Sequence, residues 1–134
     1  MMLPSEKIGN EFYQSLGKLF YAVAMADKNV RPIEIERLNE DVQKYWLSVD
    51  AIEDEFGTDA GYQIAIVFDW LQQEEKESNT YYQEFVDFYH EHPSKFNTTI
   101  KQLIFKTADD IASSFANKNK SELILLAKLR LLLH

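Results

Sequence analysis

The sequence predicts an all-α protein, one domain over residues 1–134, folded as a bundle of about six helices in which two related helical hairpins enclose intervening helices. Three observations carry that prediction. Apolar residues recur at spacings of three and four along most of the chain, the period of one helix face. The periodic runs are bounded by proline, glycine or side chains suited to helix capping. When the chain is slid along itself until Phe12 meets Ile100, Leu16 meets Ile104, Val23 meets Ile111, Glu34 meets Glu122 and Leu38 meets Leu126, so the opening pair of runs is repeated at the end.

The first helix is predicted from Ser5 to Ala26, with Ile8, Phe12, Leu16, Leu19, Phe20 and Val23 as its stripe and Ser5 as its cap. Gly17 costs a helix about 1 kcal/mol relative to alanine, so it marks a place where another helix comes close. Ala22, Ala24 and Ala26 offer the same smoothness. The turn Asp27-Lys28-Asn29-Val30-Arg31 leads to Pro32, whose preset φ suits the first position of a helix. The second helix reaches Tyr45 or Leu47 through Ile35, Leu38, Val42, Tyr45 and Trp46, and packs on the first as an antiparallel hairpin.

Residues 48–61 read as a loop with one short helical turn at 50–56 and Asp59 as a cap. The third helix, Tyr62 to Leu71, is apolar on most sides and is expected to be central. Its β-rich run Ile64–Phe68 also suits a strand, but no nearby stretch offers a partner. Ser78 or Asn79 is the expected cap of the fourth helix, Thr80 to His92, which Pro93 ends. Its aromatic side is Tyr81, Tyr82, Phe85, Phe88 and Tyr89. Asn97-Thr98 opens the fifth helix, with Ile100, Leu103, Ile104, Ala108 and Ile111 inward. Asn119 with Glu122 three residues on forms a capping box. The last helix, SELILLAKLRLLL, is apolar nearly all round. Either it is buried, or its outer face meets a second copy and gives a homo-oligomer.

Composition narrows the function. Apolar residues make up 46% of the chain, which excludes a disordered protein, and no run is long enough to span a bilayer. There is no cysteine, hence no disulfide and no thiolate chemistry, and no secretory leader is visible; a cytoplasmic location is expected. The net charge is −8 and is unevenly placed. Tyr45 to Glu75 holds Asp50, Glu53, Asp54, Glu55, Asp59, Asp69, Glu74 and Glu75 and no lysine or arginine. Elsewhere acids and bases balance. That field repels a phosphate backbone, excluding nucleic acid, and attracts a protein partner with a basic surface. It also serves simply as a solvated face.

The first elbow carries the most specific signal. Asp27 stands at a helix C-terminus, where the macrodipole disfavours an anion, so a cation is expected nearby: Lys28, Arg31 or a bound metal. Glu34, at the third position of the second helix, suits the cap backbone, and Glu122 repeats the placement. As an ion site, Asp27 and Glu34 would be joined by the amide oxygen of Asn29, with water completing the oxygen shell of a hard cation. Calcium, zinc and manganese are the ions to consider. The elbow is not an EF-hand loop, because Arg31 and Pro32 occupy places that need a ligand and a glycine. His90 and His92 point apart on a helix and suit its C-terminal dipole. No nucleophile has a partnered base, and the four glycines are scattered, so no enzyme is expected.

Ala24-Met25-Ala26-Asp27 with Val30, Glu34 and Leu38 resembles the helix–turn–helix signature of the tellurite-resistance TerB-like family, which includes the N-terminal region of a membrane-anchored DnaJ-type co-chaperone. The resemblance covers Leu16 to Leu38 and, more loosely, the last hairpin. It implies a bundle of two related hairpins with helices between them. It also implies acidic residues proposed to hold a divalent metal, and a role in stress-related assemblies rather than a reaction. The chain departs from the pattern at Lys28, where the family has glycine, and at Phe115, the counterpart of Asp27 in the second hairpin.

Three expectations follow. The first is a non-catalytic interaction module whose acids Asp50, Glu53, Asp54, Glu55 and Asp59 meet a partner. The second is a divalent-cation-binding accessory protein using Asp27, Asn29 and Glu34. The third is a metal-dependent enzyme using the carboxylates of residues 50–59.

Overall fold

The computed structural model describes residues 4–47, 49, 59–114 and 119–134, with the side chains of residues 4–7 left aside. Six α-helices follow in order: α1 Pro4–Ala24, α2 Pro32–Asp41, α3 Gln63–Gln73, α4 Ser78–Glu91, α5 Thr98–Ser113 and α6 Lys120–Leu133. The chain is an all-α bundle, and no strand runs among the described residues. No described helix is long and apolar enough to cross a membrane.

The centre of the bundle is α1. Leu16 is fully buried, and so are Leu19, Phe20, Tyr21, Ala22, Val23 and Ala24, although six consecutive residues cover every side of a helix. α3, α4, α5 and α6 all pack on it. Gly17 and the alanines make this enclosure workable. A Cβ on Gly17 would lie 2.7 Å from the carbonyl oxygen of Ile64 and 2.9 Å from Cβ of Val67, so only glycine lets α3 come this near.

The expectation that α3 is central is corrected. Only Ile64, Phe68 and Leu71 of α3 are buried, while Ile66 and Trp70 are 53% and 54% exposed. Composition made α3 look core-like, but among the described residues its buried side chains lie on one side only. α6 is likewise one-sided: Leu126, Leu129 and Leu133 are buried, whereas Leu123, Ile124 and Leu131 face outward.

The helix starts show which caps operate. Asn97 and Asn119 accept from the backbone N–H of Ile100 and Glu122. α4 starts earlier than expected; Ser78 lies inside it and Glu77 is its N-cap, without a side-chain hydrogen bond. α2 does not run straight to Trp46. At Val42–Trp46 it widens into a π-helical turn, which turns the indole of Trp46 inward to donate to Thr107 Oγ1 at 3.0 Å. The aromatic side of α4 meets Phe96, whose ring stands edge-on to Phe12, Phe85, Phe88 and Tyr89.

Candidate functional site

The repeat seen in the sequence becomes a contact in space: the α1–α2 elbow lies against the start of α6. α1 gives way after Ala24, and Lys28 takes a left-handed conformation with φ 67°. That is the position where glycine meets no steric cost. Asp27 then looks both ways. Its Oδ1 accepts from the backbone N–H of Asn29 at 3.2 Å. Its Oδ2 accepts from Asn119 Nδ2 at 2.8 Å and lies 3.0 Å from Arg31 Nη1.

Arg31 is the N-cap of α2 and has no side-chain acceptor, so Glu34 supplies the capping bond: Arg31 N donates to Glu34 Oε1 at 2.7 Å. The guanidinium also stands 3.7 Å from the same oxygen. At the second elbow, Asn119 N donates to Glu122 Oε1 at 3.2 Å, and Asn119 Oδ1 accepts from Glu122 N at 2.9 Å. Glu34 and Glu122 are almost wholly buried, 1% and 4% exposed. Burial pushes the Glu34 carboxyl up to about 7, with the nearby charges of Glu122 and Asp27 adding to it and the Arg31 backbone bond and guanidinium opposing it.

Two of the three expected ion ligands, Asp27 and Glu34, therefore converge, with Asn119 and Glu122 joining them from the second hairpin. Asn29 contributes its backbone N–H, and it is exposed. The cationic group at the centre is the guanidinium of Arg31. Among the described residues, no three of His, Asp and Glu are grouped to hold a metal.

Of the acidic segment, Asp50, Glu53, Asp54 and Glu55 lie outside the described residues. Asp59 caps the short 3₁₀ turn before α3 by accepting from Gly61 N at 2.9 Å. Beyond it, Tyr62, Ile66 and Trp70 succeed one another every four residues, 36%, 53% and 54% exposed, and make one apolar stripe along the outside of α3. Asp69, Glu74 and Glu75 belong to the same helix and its end. Asp69 Oδ2 accepts from Gln73, and Lys76 stands over the indole of Trp70. His90 and His92 rest against the rings of Tyr89 and Phe88.

The sequence reading passed over one polar cluster. Asp41, at the end of α2, is buried against Asp110 of α5. Arg37 Nε lies 3.4 Å from Asp41 Oδ1, Arg37 Nη2 is 3.3 Å from Asp110 Oδ2, and Lys106 Nζ is 3.5 Å from that same atom. Burial pushes the Asp41 carboxyl well up, with its hydrogen bond to Asp110 and that residue's charge adding to it. Burial also acts upward on Asp110, but the Asp41 hydrogen bond with the Arg37 and Lys106 charges outweighs it and holds Asp110 low. Asp41 Oδ2 is buried without a hydrogen-bond partner, and a proton on Asp41 directed at Asp110 would satisfy it. The signal was present as Arg37-to-Asp41 and Lys106-to-Asp110 spacings of four, but their meeting across α2 and α5 was not.

No protein-family model matches the chain, and no curated protein or solved structure matches it.

Proposed function

We propose that the protein is a non-catalytic interaction module of the TerB-like kind, serving a stress-related assembly through a partner with a basic surface. The observation that supports this reading is the outward stripe Tyr62–Ile66–Trp70 on α3, set in the stretch that holds the chain's whole excess of acid. Scattered exposed leucines need no explanation, whereas a tryptophan and a tyrosine aligned with isoleucine on one helix face have the composition of an interface centre. Acids around such a centre select a basic partner and speed its approach. The outer face of α6, with Leu123, Ile124 and Leu131, is the surface for self-association in this reading.

Calorimetric titration with basic amphipathic helical peptides tests it. Binding should weaken as salt rises and should vanish in Ile66→Glu. Absence of binding at low salt, or binding indifferent to Ile66→Glu, overturns it.

A second reading, divalent-cation binding, is favoured by the convergence of Asp27 and Glu34 on one cationic group. Arg31 holds that place, so Arg31→Ala should open it to calcium, zinc or manganese. Heat of metal binding in Arg31→Ala that disappears on adding Asp27→Ala supports this reading, and no heat in either variant removes it. For the third reading, an enzyme using residues 50–59, the only acid among the described residues is Asp59, and it caps a turn.

A further inference from the structure

On the side formed by α5 and α6 lies a cleft of about 560 Å³, within the size range of small-molecule sites. Its walls run against the charge of the whole chain. Lys101 and Lys106 come from α5 and Arg130 from α6, and no acidic side chain among the described residues lines it, although the chain carries a net charge of −8. Phe105 and Leu133 supply apolar surface.

The cations are held in place by rings as much as by acids. The Arg130 guanidinium sits 4.2 Å from the centre of the Phe105 ring, and Lys101 Nζ stands over Tyr89 at 5.8 Å. Lys106 is tied to Asp110, but Lys101 and Arg130 pair with no carboxylate among the described residues. Two cations with no paired carboxylate among the described residues, beside an aromatic wall, recognise a negative head group joined to an apolar body.

We propose that this α5–α6 cleft binds a small organic anion, its head group between Lys101 and Arg130 and its apolar body along Phe105 and Leu133. The inference is independent of the α3 surface. The charge of the walls excludes a neutral apolar ligand as the preferred occupant, and the volume suits one small molecule rather than a peptide chain.

The test uses decanoate and decanol, equal in length and different in charge, followed by amide chemical shifts of the full chain. Decanoate should move the signals of Lys101, Phe105 and Arg130, and decanol should bind at least about tenfold more weakly. Lys101→Gln and Arg130→Gln should each weaken decanoate by about tenfold, while Trp70→Ala leaves it unchanged. Arg130 is exposed and Lys101 half-buried, and unchanged dispersion of the remaining signals verifies that each variant is folded. Equal binding of the two compounds, shifts confined to α3, or decanoate binding that ignores both substitutions overturns the proposal.

Discussion

Asn119 Nδ2 donates to Asp27 Oδ2 at 2.8 Å across 92 positions of sequence, and this bond ties the first helical elbow to the second. Asp27→Ala should cost about 1–2 kcal/mol, since it removes bonds to Asn119, Arg31 and the Asn29 backbone at once. Asn119→Ala should cost at least as much, because the same side chain caps α6. In a double-mutant cycle by urea unfolding, the two losses should fall short of additive by about 0.5–1 kcal/mol. Full additivity would mean that the elbows are not joined through this bond.

Lys28 holds φ 67° where a side chain is disfavoured. Lys28→Gly relieves the strain but loosens the unfolded chain, so a net gain of about 0.5–1 kcal/mol is expected. A rise in midpoint denaturant concentration at constant m checks it.

Glu34 gives the fold a pH dependence with a definite sign. Its folded value near 7 lies above its ordinary 4.5, so the folded state binds the proton more tightly. The stability it contributes is full below pH 4.5 and is lost as pH rises through about 7. Asp41, also raised, acts in the same direction, and Asp110, held low, acts oppositely at acid pH. Glu34→Gln keeps an oxygen for the Arg31 N–H and removes the charge. It should raise stability at pH 8 by about 1–2 kcal/mol and flatten the profile between about pH 5 and 8. Asp41→Asn should act likewise, its amide donating permanently to Asp110. Unfolding midpoints across that range provide the check.

Thr107→Val keeps the shape of a fully buried side chain and removes the acceptor of the Trp46 indole N–H. Leaving that donor unpaired should cost about 1–3 kcal/mol. Gly17→Ala should cost a similar amount or more, because the new methyl meets the backbone of α3 rather than a movable side chain. Thermal unfolding of each variant measures both.

Much of this was legible before coordinates. Periodicity located six helices, and Pro32, Pro93, Asn97 and Asn119 marked their ends to within a few residues, since caps and prolines act locally. Gly17 was readable because a helix-interior glycine costs stability wherever it stands. The centrality of α1 over α3 was not readable, because burial depends on which neighbours a helix acquires, and both helices are rich in apolar residues. The π-helical turn at Val42–Trp46 was equally hidden. The elbow's Asp27 was found from its place at a helix C-terminus, with Arg31 among its expected cations, and Glu34 from the placement that Glu122 repeats, but the Asn119 clasp is a long-range pairing. The Asp41–Asp110 pair escaped for the same reason.

The central claim, that the α3 face receives a basic partner, is tested most directly through the tryptophan that lies in it. Trp46 is fully buried and Trp70 is half exposed, so acrylamide quenching of the native protein reports chiefly on Trp70. Titration with a basic amphipathic helical peptide should shift the emission to the blue, protect it from acrylamide, and do neither in Ile66→Glu. A peptide that binds while Trp70 stays as quenchable as before would place the contact elsewhere and contradict the account.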